Sequence, residues 1–243
     1  MLDAIFYKKL NSTQDTAKKL ASDGRRNFAV VADSQMKARG RFGRKWHSGK
    51  GGLWASIAVA PSDMEHVQYL TFAAATSVAN ALKKCCNLDV KIKWPNDVHY
   101  NGLKICGILT EGAFGKESFA VVGIGLNVNQ KKFSVDIKKT ATSIKKITGK
   151  EHDIKKILDS VLKNFNRYCI LYKSRNYSKI LYDWKKYCDT IGKEVKAISS
   201  GKKISERKII SGKAVGIDED LNLIIMSCNK KIALTEGDVS VRY

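Results

Sequence analysis

Apolar positions recur along the chain with the spacings of helices and strands. Ala17, Leu20 and Ala21 form an apolar stripe that predicts an amphipathic first helix. Asn11 or Ser12 can cap this helix, because a short polar side chain there accepts a free backbone N–H. Apolar runs also predict buried or half-buried strands at residues 28–32, 53–60, 90–94, 98–100, 103–111 and 119–128.

Longer helices are predicted in the middle of the chain. Ser62 followed by Glu65 is a capping-box pattern, which predicts a long alanine-rich helix over residues 63–85. Asp153 can cap a helix that runs to about residue 172, and the pattern predicts another helix over residues 177–188.

The segments between these elements carry turn signals. Asn101-Gly102 predicts a tight hairpin turn, residues 112–116 predict another turn, and residues 33–52, rich in Gly, Arg, Lys and Ser, predict an irregular loop. From about residue 191, short β-type runs predict antiparallel strands at residues 212–217, 221–227, 231–234 and 239–242. The expected fold is therefore α+β: a mixed β-sheet with flanking helices over residues 1–188, and a small C-terminal β-barrel over residues 189–243.

The charge balance raises the question of partners. The 243 residues include 44 Lys and Arg against 23 Asp and Glu, a formal net charge of +21, and 44% are hydrophobic, which indicates a folded chain. A surface of this kind attracts polyanions, so a basic nucleic-acid-binding module is one interpretation. The lysines are spread along the whole chain without a dense basic arm. This favours solvated helix surfaces, with attraction to an acidic protein partner.

The remaining composition bears on location and on metals. No apolar run reaches the roughly 20 residues that span a bilayer, and no export-signal pattern opens the sequence. A soluble, cytoplasmic protein is therefore expected. The 6 cysteines show no Cys-x-x-Cys pair and no histidine at zinc-ligand spacing, so reduced and mostly buried thiols are expected.

An arginine-rich loop carries the first chemical signal. Arg39, Arg41 and Arg44 fall within six residues, although the chain otherwise prefers lysine. Arginine is favoured where a planar group must contact a phosphate or carboxylate through two hydrogen bonds. Gly40 and Gly43 between them allow a ligand to approach the backbone closely. The pattern predicts a loop that wraps an anion; a solvated basic loop or a nucleic-acid contact is the alternative.

A second polar cluster follows one of the two prolines. Pro95 predicts a turn that delivers Asn96 and Asp97 to the end of a strand. A carboxylate there could hold Mg²⁺ together with substrate phosphates, and a plain Asx turn is the alternative. Lys104 interrupts an apolar strand, so its ammonium group either reaches water or points into a cleft to meet an anion.

Conventional nucleotide-binding motifs do not explain these clusters. There is no P-loop, and Gly123-Ile124-Gly125 lacks the third glycine and the helix of a dinucleotide loop. Taken in order, however, five motifs resemble the biotin protein ligases: Ser12-Thr13-Gln14, residues 39–46 (Arg-Gly-Arg-Phe-Gly-Arg-Lys-Trp), residues 93–97 (Lys-Trp-Pro-Asn-Asp), residues 104–111 (Lys-x-x-Gly-Ile-Leu-x-Glu) and residues 123–129 (Gly-Ile-Gly-Leu-Asn-Val-Asn). The resemblance covers essentially the full chain. It implies the short form of the family, with a class II synthetase-like catalytic domain and an SH3-like C-terminal barrel, and without the N-terminal DNA-binding domain of the long form.

The resemblance also implies a role for each motif residue. Biotin would be bound by Ser12, Thr13, Gln14, Gln35, Arg39, Gly40, Arg41, Lys104 and Gly107. ATP would be bound by Arg41, Arg44, Trp46, Asn96, Lys104 and Asn127, and Asp97 would hold Mg²⁺. Lys104, Arg39 and Arg41 would be catalytic. The implied reaction activates biotin with ATP to biotinyl-5′-AMP and transfers biotin to a lysine of the biotin carboxyl carrier domain of a carboxylase.

Two departures and two rival interpretations stay open. Ala38 stands where the family loop usually begins with glycine, so the start of the loop could differ, and Gln14 replaces a commoner asparagine. Lipoate-attaching enzymes are similar in fold and chemistry and would differ in the acyl pocket. A basic nucleic-acid-binding module would explain the charge but not Pro95 or Lys104. An edge strand of the main sheet could pair two subunits into a homodimer.

Overall fold

The computed structural model describes residues 2–61, 63–113, 118–199, 209–235 and 237–241. Within these residues the chain forms twelve strands and five α-helices. The strands are β1 (Asp3–Tyr7), β2 (Phe28–Ala32), β3 (Gly52–Val59), β4 (Lys91–Lys93), β5 (Asp97–Tyr100), β6 (Leu103–Ala113), β7 (Phe119–Asn127), β8 (Glu194–Ser199), β9 (Ile209–Ile217), β10 (Leu223–Ser227), β11 (Lys230–Leu234) and β12 (Gly237–Val241). The helices are α1 (Thr13–Ser22), α2 (Tyr69–Cys86), α3 (Ile144–Thr148), α4 (Ile154–Lys173) and α5 (Tyr177–Lys185).

Strands β1 to β7 form one seven-stranded sheet in the order β1-β2-β3-β7-β6-β5-β4. β1 pairs with β2 in parallel, and the other pairs in this sheet are antiparallel. Asn101 and Gly102 have φ values of 48° and 78° and form the hairpin turn between β5 and β6, as predicted. The mixed sheet is thus confirmed, and β1 adds an edge strand that the sequence pattern did not indicate.

Side chains alternate between the two faces of this sheet. Leu53 and Ile57 of β3 point into the main core, which they share with α2, α4 and α5. Ala58 points to the opposite face and packs in a smaller core with Ala17 and Ala21 of α1. Because α1 contacts β2, β3 and β7, it covers one end of this second face and leaves room for a cavity toward β6 and β5.

Two predicted helix caps are present. The Ser12 hydroxyl accepts the backbone N–H of Asp15 at 3.2 Å and caps α1. The Asp153 carboxylate accepts the backbone N–H of Lys156 at 3.1 Å and caps α4. Each cap satisfies a backbone donor that the helix itself leaves free.

The prediction of a helix over residues 63–85 was wrong at its start. α2 begins at Tyr69, and no side chain caps it. The Asp63 carboxylate accepts the backbone N–H of Glu65 at 3.0 Å, so it stabilises a turn ahead of the helix. Ser62, the other member of the expected capping box, lies outside the described residues.

Strands β8 to β12 form a second, five-stranded antiparallel sheet in the order β11-β10-β9-β8-β12. β10 begins at Leu223, two residues later than predicted, because Leu221 adopts a left-handed φ of 65°. The sheet packs on the main core: Trp94 Nε1 donates to the Leu221 carbonyl at 2.9 Å, and the Tyr69 hydroxyl donates to the Glu219 carbonyl at 2.6 Å. The α+β fold with a small C-terminal β unit is confirmed. The domain boundary at residue 188 stays a prediction.

Candidate active site

A cavity of about 590 Å³ opens on the face of the main sheet that α1 leaves uncovered. This volume is in the range of cavities that hold small ligands. Its walls come from the start of α1, the loop over residues 35–47, the strands β3, β5, β6 and β7, and residues 137–141. It is lined by all fourteen residues that the sequence indicated for binding: Ser12, Thr13, Gln14, Gln35, Arg39, Gly40, Arg41, Arg44, Trp46, Asn96, Asp97, Lys104, Gly107 and Asn127.

Glycines make part of the cavity floor flat. Gly107 of β6 and Gly125 of β7 are paired in register, and Gly123 lies two residues before Gly125 on the same face. A Cβ atom on Gly125 would lie 2.5 Å from Nε1 of Trp46, and one on Gly123 would lie 2.7 Å from Oε1 of Gln14. None of the three glycines has a positive φ. They are therefore required for space above the sheet and not for backbone conformation.

Neutral polar side chains form the wall at the start of α1. The Thr13 hydroxyl lies 2.9 Å from the Ser56 hydroxyl and donates to Gln35 Oε1 at 3.1 Å. Ser56 donates to Gln14 Oε1 at 3.0 Å, and Gln14 Nε2 donates to the Val121 carbonyl at 3.0 Å. We call Thr13, Gln14, Gln35 and Ser56 the neutral subsite. Its fixed, uncharged donors and acceptors suit a ligand group such as an amide or a urea.

Two parts of the cavity were not found from the sequence. Ser56 is 1% exposed and carries the only hydroxyl group in β3, and a lone hydroxyl in a buried strand was a usable signal. Residues 137–141 gave no signal, because their position depends on pairing with Lys104. The Lys104 N–H donates to the Thr140 carbonyl at 2.8 Å, and the Lys104 carbonyl accepts from the Thr142 N–H at 2.9 Å.

Arg39 ties the arginine loop to α1. Its guanidinium donates to both carboxylate oxygens of Asp15, at 2.8 and 2.6 Å, and lies 3.5 Å from a carboxylate oxygen of Glu111. The hydrogen bond from Arg39 holds the pKa of the Asp15 carboxyl below its ordinary value. The carboxylates thus fix the first arginine of the loop at the edge of the cavity.

Arg41 and Arg44 are held at the cavity mouth by an aromatic side chain. Their guanidinium carbons lie 4.9 and 5.8 Å from the centre of the Phe42 ring. The backbone of Phe42 is left-handed, with a φ of 56°. Arg41 also donates to Asn96 Oδ1 at 3.3 Å, and Asn96 Nδ2 donates to the Ile108 carbonyl at 2.7 Å. The loop and the turn at Pro95 therefore meet across the cavity.

Ala38 does not strain the start of this loop. It is not among the residues with a positive φ, so its methyl group meets no conformational penalty. Its carbonyl accepts the N–H of Trp46 at 3.0 Å, and the Gly40 N–H donates to the Arg44 carbonyl at 2.7 Å. These two bonds close the loop on itself.

A β-bulge turns Lys104 into the cavity. Between β5 and β6, Val98 pairs with Cys106 but His99 pairs with Lys104, so β6 carries one extra residue there. As a result Ile105 and Cys106 both enter the core, and Lys104 faces the cavity. Burial raises the pKa of the Cys106 thiol, which keeps it protonated.

The ammonium group of Lys104 lies at the centre of a polar cluster. Its Nζ is 2.5 Å from Oδ1 of Asp97 and 5.1 Å from the centre of the Trp46 ring system. Trp46 Nε1 is buried and has no hydrogen-bond partner among the described residues. Of the two directions that the sequence left open for Lys104, the structure has the ammonium group in the cavity, beside a carboxylate of the protein itself.

Cations dominate the part of the cavity around Lys104. The cationic residues that line it are Arg39, Arg41, Arg44, Lys45, Lys93 and Lys104, which we call the cationic subsite. Among the described lining residues, Asp97 is the one carboxylate. His99 also lines the cavity, and its Nε2 lies 3.0 Å from Oδ1 of Asp189. A cluster of this charge attracts a polyphosphate.

Metal ligands are sparse at the cavity. Among the described residues, one group could offer three ligand atoms, Asp63, Glu65 and His66, and these residues do not line the cavity. At the cavity, Asp97 offers one carboxylate next to Asn96. Magnesium at phosphate-binding sites is commonly held by one or two carboxylates and the substrate phosphates. The donor set therefore fits a magnesium ion that is held largely by the phosphates of its substrate.

Two expectations about the whole chain can be compared with the structure. All six cysteines are free, but the expectation that they are mostly buried was wrong. Cys106 is buried, Cys86, Cys169 and Cys188 are half-buried, and Cys85 and Cys228 are exposed. Of the helices described, none combines the length and the apolar character that a membrane span requires.

The fold and the cavity define a class of protein: an α+β domain whose sheet brings a neutral subsite next to a cationic one. Comparison with known proteins identifies the family. The profile of the Biotin/lipoate A/B protein ligase family matches residues 6–129, the stretch that contains all fourteen predicted binding residues. The chain therefore belongs to the biotin/lipoate A/B protein ligase family.

Relatives and solved structures agree with this assignment. The chain is 32% identical over 235 residues to the bifunctional ligase/repressor BirA of Bacillus subtilis, covering 94% of this chain and 70% of that protein. It is 29% identical over 217 residues to the biotin--[acetyl-CoA-carboxylase] ligase of Mycobacterium tuberculosis, covering 86% of this chain and 77% of that protein. The biotin protein ligase of Aquifex aeolicus, solved in complex with biotin and ATP, superposes with a TM-score of 0.86 at 33% identity over 100% of this chain and 99% of that chain.

Proposed function

We propose that this protein is a biotin protein ligase, which activates biotin with ATP and transfers it to a lysine of an acceptor protein. The observation that carries the proposal is the continuity of the neutral subsite with the cationic subsite in one cavity. One ligand with a polar uncharged ring and a carboxylate would contact both. The similarity to BirA of Bacillus subtilis, to the Mycobacterium tuberculosis ligase and to the Aquifex aeolicus protein solved with biotin and ATP supports this assignment.

The neutral subsite would bind the ring of biotin. The ureido group of biotin has N–H donors and a carbonyl acceptor, which Ser12, Thr13, Gln14 and Gln35 can satisfy. Ser12, Thr13 and Gln14 are buried at the start of α1, and the half-buried Gln35 accepts the backbone N–H of Thr13 at 2.7 Å. They therefore offer a preformed set of partners. The absence of side chains at Gly107 and Gly125 lets Lys104 and the Trp46 indole lie close to the sheet, where they would meet the carboxylate end of the valeryl chain.

The cationic subsite would support adenylation. A carboxylate oxygen of biotin attacks the α-phosphorus of ATP, the bond from that phosphorus to the bridging oxygen breaks, and pyrophosphate leaves. Two anions approach each other in this step, so positive charge at the reacting atoms lowers the barrier. We assign this role to Lys104 and Arg41, with Arg39 closing the loop over biotin.

ATP would extend from Lys104 toward the mouth of the cavity. Arg44 would contact the phosphates, and Asn96, Asn127 and Trp46 would border the nucleotide. Trp46 Nε1 is a buried donor available to a ligand. Magnesium, held by Asp97 and the phosphates, would neutralise charge on the triphosphate. Binding it requires the contact between Asp97 and Lys104 to loosen.

The arginine loop would then protect the adenylate. Biotinyl-5′-AMP is a mixed anhydride that water hydrolyses, and a loop that closes over it excludes water. In the second step the amine of an acceptor lysine attacks the acyl carbon, the bond from that carbon to the phosphate oxygen breaks, and AMP leaves as the amine loses a proton. No enzyme thiol is needed, which agrees with the buried, protonated Cys106. The acceptor would be a biotin carboxyl carrier domain, and the free cysteines suit a cytoplasmic setting.

ATP–pyrophosphate exchange with Mg²⁺ tests the proposal, with biotin, with lipoate and with no acid. Exchange that depends on biotin is expected. Lipoate is the second candidate, because the matching profile covers lipoate ligases as well. Exchange with lipoate alone would show that the neutral subsite binds lipoate and not biotin. No exchange with either acid would refute adenylation, and nucleic-acid binding would then be measured.

A further inference from the structure

Four lysines crowd the segment that closes one side of the cavity. Lys131, Lys132, Lys138 and Lys139 fall within nine residues, and all four side chains are exposed. Asp136 is the single acidic residue between them. We call residues 131–139 the lysine lip. A cluster of this kind produces a local positive potential at the surface.

The lip is positively charged because its four lysines outnumber its single acid. The Asp136 carboxylate lies 3.0 Å from Nε2 of His47, at the end of the loop over residues 35–47. None of the four lysines forms an ion pair with a residue that the structure describes. The contact between Asp136 and His47 joins the lip to the loop that carries Arg41 and Arg44, so the lysines of the lip add to the positive charge of the cavity.

The lip is fixed relative to the reacting atoms. Ile137 and Thr140 line the cavity, and the Thr140 carbonyl accepts the backbone N–H of Lys104 at 2.8 Å. Lys104 is the residue that we place beside the carboxylate and the α-phosphate. The exposed lysines therefore flank the opening through which a second substrate must reach the acyl carbon.

We propose that the lysine lip docks an acidic protein domain, the one that presents the acceptor lysine. This inference rests on the proposed function. Small anions inside the cavity meet the inward cations such as Arg41 and Lys104, whereas Lys138 and Lys139 are exposed outside it. A protein that inserts its lysine through the mouth must lie against the surface around it, where the exposed lysines of the lip are. Complementary charge would accelerate its approach and fix its orientation.

A matched pair of charge-reversal variants tests the lip. Lys138→Glu/Lys139→Glu changes two exposed lysines of the lip. Lys156→Glu/Lys163→Glu makes the same charge change on α4, which packs on the opposite face of the sheet. Both variants are compared with the wild type in biotin-dependent ATP–pyrophosphate exchange, and in transfer of biotin to an acidic biotin carrier domain at increasing salt.

The lip variant is expected to lose about tenfold or more in kcat/KM for the carrier domain at low salt, the size typical of lost electrostatic steering. The loss should shrink as salt screens the charges. Exchange should stay at the wild-type rate, which also shows that the variant is folded. The α4 variant should transfer biotin almost as fast as the wild type.

Four results would overturn the inference. An equal loss in the α4 variant would show an effect of net charge alone. A parallel loss of exchange would show that the lip serves ATP. Salt-sensitive binding of a 20-base-pair DNA duplex that is lost in the lip variant, with transfer intact, would assign the lip to nucleic acid. Unchanged exchange and unchanged transfer in the lip variant would reject docking at the lip. By contrast, an absence of biotin-dependent exchange in the wild type would refute the proposed function itself.

Discussion

Replacing Gly125 by alanine tests whether the flat floor of the cavity exists to admit the indole of Trp46. The added Cβ atom would lie 2.5 Å from Nε1, 2.7 Å from Cε2 and 3.0 Å from Cζ2 of that ring. Since ordinary carbon contacts are about 3.5–4.0 Å, the indole must move by about 1 Å. Gly125 has no positive φ, so the backbone itself accepts alanine.

The cost to folding should be small. Alanine reduces the freedom of the unfolded chain, which contributes about 0.4–1 kcal/mol to stability. Overpacking opposes this by about 1–3 kcal/mol, and less where the neighbour can move. Trp46 lies on a loop and is half-buried, so it can shift. We expect the free energy of unfolding, measured in urea, to fall by about 2 kcal/mol at most.

The effect on catalysis should be larger, because we propose that the displaced indole borders the nucleotide. A misplacement of about 1 Å can cost up to about 100-fold in rate. We therefore expect kcat/KM for ATP in biotin-dependent exchange to fall by about 10- to 100-fold. The control is the same substitution in a Trp46→Ala background, where the clash is gone and Gly125→Ala should have little further effect. An equal loss in both backgrounds would refute the reasoning, because the methyl group would then act on something other than Trp46.

Three further substitutions separate folding from function. Gly123→Ala places a Cβ atom 2.7 Å from Oε1 of Gln14, which is buried and held in place by its hydrogen bonds. The free energy of unfolding, measured in urea, should therefore fall by about 2–4 kcal/mol, and a loss below about 1 kcal/mol would contradict this. Arg39→Ala should return the pKa of Asp15 toward its ordinary value in an NMR titration. In the wild type the Asp15 carboxyl has a lower pKa in the folded state than in the unfolded state. Its contribution to stability is therefore present above the ordinary carboxyl range and is lost as pH falls through the folded pKa. Arg41→Ala should leave folding intact and release biotinyl-5′-AMP early, and retention as tight as in the wild type would count against its role.

Residues whose chemistry is local could be found from the sequence. Ser12 and Asp153 cap helices through bonds to the next turn, so three or four residues of context suffice. Arg39, Arg41 and Pro95 are rare residue types in this chain, and their rarity marked the two segments that meet at the cavity mouth. Both kinds of inference used short-range information.

Residues whose role depends on distant pairing could not be found in this way. The start of α2 was misplaced because the Asp63 carboxylate forms a turn ahead of the helix instead of extending it. β8 alternates charged and apolar residues in a short stretch and shows no continuous apolar run. The pairing of Thr140 with Lys104 spans 36 positions, and nothing within residues 137–141 indicates it.

The direction of the Lys104 side chain could not be predicted from neighbouring residues, because it depends on how β6 pairs with β5. Gly107 faces the cavity, so strict alternation along β6 would place Ile105 on the cavity face and Lys104 in the core. Burying an unpaired ammonium group is far more costly than a bulge. The extra residue of β6 opposite β5 keeps the charge out of the core while the two strands stay paired. That bulge has two consequences at once. It directs the Lys104 side chain into the cavity beside Asp97, and it lets Ile105 and Cys106 both pack in the core. The role in adenylation that we propose for Lys104 therefore depends on the register of β6 against β5.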